Sequence, residues 1–356
     1  MRRLLAAAVA TMATAALAAV PLASGSSFMR LGIFDDGKVL YGEPEVVFEE
    51  MATTGAKVVR VNLWWSGPGI SVATRKPRKP ADPSDPAYNW DTYDRSVRFA
   101  TINGLQLVFS IIGTPPWANA AKGWNVAPTK PSDLRQFAIA VAKRYSGTYR
   151  LPDGNILPRV SSWIAWNEPN NPVFMKPQYV RSGKTWTIRS ARDYARICNA
   201  VVQGIKSVTP SSKVACGVTA PRGNNNPNSS RPSVSPLPFA RAMKSAGATG
   251  FDAYAHHPYY ATPVDTPTTK PAPGAKGQPA TAVTLGNFDL LVAEVTRLWG
   301  NKRFWITEYG YQTNPPDTFF GVTYAKQAQY LTQAIAIARR HPRIDLFLWF
   351  LLSDEA

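Results

Sequence analysis

The sequence predicts an α/β protein, a single-domain (β/α)8 barrel, on three observations. Short runs rich in β-branched and aromatic residues alternate with longer amphipathic runs, the rhythm of repeated βα units. Eight strand-like runs are separated by seven helical patterns, a number that favours a closed barrel over an open sheet. The strand-like runs, such as Val58-Val59-Arg60-Val61 and Leu107-Val108-Phe109, are nearly continuously apolar, as strands covered on both faces must be. A chain of 356 residues, 45% hydrophobic and 11% aromatic, has the material for one large core, which excludes wholesale disorder.

Residues 1–27 read as a secretory signal ahead of one catalytic domain over 28–356. Arg2 and Arg3 precede an apolar, Ala-rich run from Leu4 to Val20, and Ala23 and Gly25 supply small residues for cleavage. A retained N-terminal anchor is the alternative. Secretion is the expected localisation, with no membrane attachment after processing, and a monomer is expected.

Strands are expected at Met29-Phe34, Lys57-Trp64, Gln106-Ile112, Ser162-Trp166, Lys213-Val218, Phe251-His256, Arg303-Thr307 and Asp345-Phe350. Helices are expected between them at Glu45-Thr54, Trp90-Asn103, Asp133-Tyr145, Ser190-Thr209, Pro238-Ala246, Asn287-Trp299 and Tyr324-Arg340. The sequence stops just past the eighth strand, so an eighth helix is missing from the pattern. Three long stretches rich in Gly, Pro, Asn and Ser, near Gly67-Pro86, Arg222-Pro236 and Ala261-Ala282, each follow a strand. All three then belong to the face of the barrel that carries active sites, where they could wall a cleft.

The formal charge is +17, which suits anionic glycans, a cell wall or nucleic acid equally well. The basic residues are scattered, and the one dense run, Arg75 to Lys79, lies in a Pro-rich stretch that reads as a solvated loop. No nucleic-acid partner is therefore expected. The two cysteines, Cys198 and Cys216, form no disulfide framework and no metal cluster; they are either one bridge or two buried thiols. No phosphate-cradling glycine loop, nucleophilic serine motif or zinc spacing occurs.

Two glutamates carry the chemistry. Trp166-Asn167-Glu168-Pro169-Asn170 ends the fourth strand and Ile306-Thr307-Glu308-Tyr309-Gly310 ends the seventh. Those positions face one another across a barrel mouth, and cleaving a glycosidic bond with retention needs one carboxylic acid beside one carboxylate. Singly, either glutamate also fits a salt bridge or a helix cap.

These two motifs resemble those of glycoside hydrolase clan A, and within it the cellulase-like family 5 and the family 39 TIM-barrel glycosidases. The resemblance implies a retaining β-glycosidase with Glu168 as acid/base and Glu308 as nucleophile, acting on a β-linked polysaccharide or oligosaccharide without metal or organic cofactor. Arg60 looks like the clan's arginine that steadies the nucleophile, with a structural ion pair as the alternative. Asn167 resembles the amide that binds the sugar 2-hydroxyl; a turn-forming Asn is its plain reading. His257 and Tyr259 look like the clan's His-x-Tyr pair, against a stacked pair without function. Trp117, after the third strand, and Trp349, closing the eighth, resemble the clan's sugar-stacking tryptophans, with core positions as the alternative. A non-catalytic glycan-binding barrel and a transglycosylase using the same carboxylates are the competing functions.

Overall fold

The computed structural model describes residue 26 and residues 28–273 and 280–353. The expected signal segment, 1–27, lies outside the described residues except for Ser26. Eight strands close a parallel barrel: β1 (Arg30–Phe34), β2 (Val58–Trp64), β3 (Gln106–Ile112), β4 (Ser162–Ala165), β7 (Lys213–Thr219), β8 (Ala253–His256), β9 (Arg303–Tyr309) and β10 (Ile344–Trp349). Each pairs in parallel with its neighbours in chain order, and β1 closes on β10 through Arg30–Leu346 to Ile33–Trp349.

The strands are apolar on both faces, except where Arg60 and Asn62 on β2 and Ser110 on β3 meet inside the barrel. Val58, Val108, Ile164, Ala215, Trp305, Leu346 and Leu348 fill the interior, while the alternate residues pack under the helices. This is why the strands read as unbroken apolar runs rather than as alternating ones. Gly32 allows the close approach of β1 to β2, since a Cβ there would stand 2.1 Å from the Val58 carbonyl oxygen.

The surrounding helices are α2 (Pro44–Thr53), α3 (Asp91–Ile102), α5 (Pro131–Arg144), α6 (Arg189–Val208), α7 (Pro236–Ser245), α8 (Asp289–Trp299) and α9 (Tyr324–Arg340). Three of them, α2, α5 and α7, begin with proline in their first turn, where its missing N–H costs nothing. Their ends differ from the sequence expectation by at most two residues, and α9 matches it at both ends. Among the described residues no helix follows β10, as the sequence pattern implied, and none is long and apolar enough to cross a membrane.

Four small elements were not expected from sequence: α1 (Asp36–Tyr41), α4 (Pro116–Asn119) and a hairpin of β5 (Tyr179–Ser182) with β6 (Thr185–Ile188). The hairpin is inserted between β4 and α6. Cys198 on α6 and Cys216 on β7 are joined in a disulfide, which decides between the two readings of that pair.

Candidate active site

β4 ends at Ala165, and the chain then turns sharply at the barrel mouth. Trp166 and Glu168 both adopt positive φ, 71° and 37°, a backbone region that costs a non-glycine residue on the order of 1–3 kcal/mol. The turn is held because Trp166 donates its backbone N–H to the Ile111 carbonyl (2.9 Å) and its indole N–H to that of Phe174 (2.8 Å). The strained bend aims Glu168 into the opening.

Glu308 stands at the penultimate position of β9. Arg60, wholly buried on β2, reaches across the barrel and uses all five of its N–H groups. It donates to Glu308 Oε1 (2.8 Å), the Thr307 carbonyl (3.0 Å), Asn167 Oδ1 (2.7 Å), Asn62 Oδ1 (3.2 Å) and Ser110 Oγ (3.0 Å). Its guanidinium carbon also lies 4.1 Å from the centre of the Phe34 ring. A buried cation needs this degree of pairing to be tolerated. One arginine thereby fixes both motifs: it anchors Glu308 and, by occupying the Asn167 carbonyl, leaves that amide's N–H groups for another partner.

His257 lies between the carboxylates. Its Nδ1 is 2.9 Å from Glu168 Oε1 and 3.6 Å from Glu308 Oε2, and its Nε2 is 2.9 Å from Thr307 Oγ1. Arg60, 3.4 Å from Nε2, can only donate, so Nε2 is assigned as acceptor and Nδ1–H as the donor to Glu168. Burial, with Arg60 adding to it, pushes this imidazole down to about 4, leaving it neutral near pH 7. Tyr259 donates its hydroxyl to Glu308 Oε2 at 3.2 Å.

The two carboxyl groups differ in environment. Burial pushes Glu168 up to about 7, against the opposing pull of Asn171, whose Nδ2 donates to Oε2 at 2.9 Å, and of Arg60. Glu308 is tied to a guanidinium and a phenol. One carboxyl group suited to hold a proton therefore faces one held by a cation, the division of labour that separates an acid from a nucleophile. Oxygens of Glu168 and Glu308 and a ring nitrogen of His257 all lie within 4.8 Å of one another. The trio could in principle hold a metal, but the fixed charge of Arg60 beside Glu308 opposes a second cation there.

The expected residues Glu168, Glu308, Arg60, Asn167, His257 and Tyr259 are thus brought together. Trp117 and Trp349 are not. Leu346 and Leu348 point into the barrel, so Trp349 faces outward by the period of a strand and lies against Tyr309, ring centres 6.2 Å apart. Phe350, one residue further, lines the opening instead. Trp117 packs edge-on against the buried Trp65 at 5.5 Å, away from the cleft. His256 is also structural: Thr219 and the Val283 carbonyl take its two nitrogens, and burial lowers it to about 3.

Glu168 opens into a cleft of about 620 Å³, lined among others by Asn171, Arg222, Tyr260, Tyr311, Phe350 and Tyr259, the partner of Glu308. Asn171, Tyr260 and Phe350 escaped the sequence reading. Each adjoins a residue that was singled out, and strand parity, counted forward from Leu346 and Leu348, would have chosen Phe350 over Trp349. Gly310, next to the nucleophile motif, is needed for the close approach to that segment, since a Cβ would meet the Phe350 carbonyl oxygen at 2.1 Å.

No protein-family model and no curated sequence matches the chain. Solved structures do. A family 39 glycoside hydrolase from the gut symbiont Bacteroides cellulosilyticus WH2 is 19% identical, with a TM-score of 0.58 over 90% of this chain and 55% of that one. A glucosidase from Croceicoccus marinus is 15% identical, with a TM-score of 0.61 over 92% and 60%. The endo-1,4-β-mannanase from Rhizomucor miehei is 12% identical, with a TM-score of 0.55 over 91% and 86%. The chain spans little more than half of the first two. At these identities the likeness establishes a shared fold, the closed (β/α)8 barrel that the alternation of strands and helices led us to expect.

Proposed function

We propose that the chain is a retaining glycoside hydrolase of β-linked sugars, with Glu168 as acid/base and Glu308 as nucleophile. One observation carries the reading: two carboxyl groups converge at the barrel mouth to within 4.8 Å, one raised by burial and the other held by Arg60. Retaining enzymes place these groups about 5–5.5 Å apart, whereas inverting ones leave room for a water between them.

In the first step a Glu308 oxygen attacks the anomeric carbon, the glycosidic C–O bond breaks, and the Glu168 proton passes to the departing oxygen. In the second, Glu168 takes a proton from water, whose oxygen displaces Glu308 from the anomeric carbon. A hemiacetal leaves, and Glu168 is again protonated. Tyr259 and Arg60 hold Glu308 in line, and the free amide of Asn167 is placed for the hydroxyl beside the reacting carbon. Export guided by residues 1–27 is part of the proposal; the N-terminal sequence of protein recovered from medium tests it.

Turnover on a panel of aryl β-glycosides and glycans tests the assignment. Glu308→Gln is expected to lose activity by orders of magnitude on every substrate. Glu168→Gln should lose about 10²–10⁴-fold on natural glycosides, and much less on a nitrophenyl glycoside, whose leaving oxygen needs little protonation. Ordinary turnover by Glu308→Gln would overturn the reading, and glycan binding without new reducing ends in the wild type would favour a non-catalytic barrel.

A further inference from the structure

A second cleft, of about 580 Å³, lies beyond the acid/base residue. Its walls are the β4 loop with the β5–β6 hairpin on one side, through Pro172, Val173, Tyr179 and Trp186, and the loop after β7 on the other, through Pro227 and Arg231. It neighbours the catalytic cleft along the β4 loop. Asn171 lines the first cleft and binds Glu168, its Oδ1 accepts the Val173 N–H at 3.1 Å, and Pro172 and Val173 then line the second.

The two walls are braced. Asn170 accepts from the Ala220 N–H (2.8 Å) and donates to the Ala220 and Val234 carbonyls (3.1 and 2.8 Å), pinning the β7 loop to the β4 loop. Tyr179 adds a bond from the hairpin to the Ser233 carbonyl (3.2 Å). A surface built in this way keeps its shape before a ligand arrives, which lowers the cost of binding.

Its chemistry is specific. Trp186 is 38% exposed on the hairpin; its ring partner is Arg181, 6.0 Å away across the strand pair. Lys176 and Arg231 are exposed and line the cleft, no Asp or Glu does, and none of these three cations forms an ion pair among the described residues. Arg222 continues the positive wall into the catalytic cleft.

Resting on the hydrolase reading, we propose that this cleft is an outer subsite for the leaving side of an anionic polysaccharide. An acid must touch the departing oxygen, so the departing chain extends on the Glu168 side, and that side leads past Asn171 to Trp186. There a sugar ring stacks on the indole, while a carboxylate or sulfate substituent meets Arg231 and Lys176. The enzyme then cuts within chains and prefers acidic ones.

The full-length protein is assayed on polyuronate oligomers, sulfated oligomers and neutral β-glucan, xylan and mannan oligomers of matched length, beside an aryl β-glycoside. Trp186→Ala should lower kcat/KM on the preferred anionic oligomer about tenfold relative to the aryl glycoside, chiefly through KM. Added NaCl should raise KM on that oligomer, and less so in Lys176→Gln/Arg231→Gln. The arm that responds tells uronate from sulfate. Preference for neutral oligomers, or a Trp186→Ala ratio equal to wild type in an active enzyme, overturns this inference and leaves the hydrolase reading standing. Trp186-dependent binding of an anionic oligomer by a wild type without turnover would uphold the binding site and sink the hydrolysis; absence of both would sink the two together.

Discussion

Arg60 shows how one residue organises a site. Each of its N–H groups has an acceptor, three of them on the residues that flank or form the carboxylate pair. Glu168 is the complementary case, a carboxyl group displaced upward by burial to about 7. Between its unfolded value of 4.5 and about 7 the folded chain keeps a proton that the unfolded chain has released, so this group lowers stability as pH rises through that window and holds it lowered above. Glu168→Gln should therefore gain stability relative to wild type, by on the order of 3 kcal/mol between pH 4.5 and 7. Denaturant melts of both proteins at several pH values check it; a difference that stays constant with pH contradicts the placement. In activity, the wild type should lose rate above about pH 7 as the acid deprotonates, and the Gln variant should lack that limb. His257 works in the opposite sense, lost as pH falls below 6.5, which is why the comparison is between variants and not across one pH curve. At this scale the polar residues were legible, because each ends a strand inside a motif. Trp117 and Trp349 were not, because an indole serves a core and a sugar platform equally well and only strand parity separates the two.

Elements were legible where packing enforces a period. The eight barrel strands and seven main helices follow their apolar patterns because each must cover two neighbours. The β5–β6 hairpin gave no such signal, since only its end residues Tyr179 and Ile188 pack against the core while Val180, Trp186 and the residues between are exposed. Short α1 and α4 are set by turn and loop geometry rather than by an apolar face. The bridge between α6 and β7 was undecidable from spacing, because it depends on Cys198 and Cys216 meeting across the layer between helix and strand, 5.9 Å apart at Cα. Closing a loop of this length stabilises the fold by about 3 kcal/mol. A Cys198→Ala/Cys216→Ala protein should show a correspondingly lower urea midpoint with its kcat retained, since the bridge joins α6 to β7 and neither cysteine lines the cleft. An unchanged midpoint would mean that the bridge adds nothing to the fold.

The described residues form a closed parallel barrel with most of its irregular chain gathered at one end, the segment 145–161 before β4 lying at the other. The strained turn at Trp166 to Glu168, the Gly310 contact and the loops that line the cleft lie where β-strands finish, as expected when function is grafted onto a scaffold that other parts stabilise. The two glutamates meet only because β4 and β9 stand on opposite sides of a closed sheet. The most direct test follows the anomeric proton of the first product by NMR during cleavage of a β-glycoside. The account predicts that the β hemiacetal forms first and then mutarotates; a first-formed α anomer would show direct displacement by water and contradict the role given to Glu308.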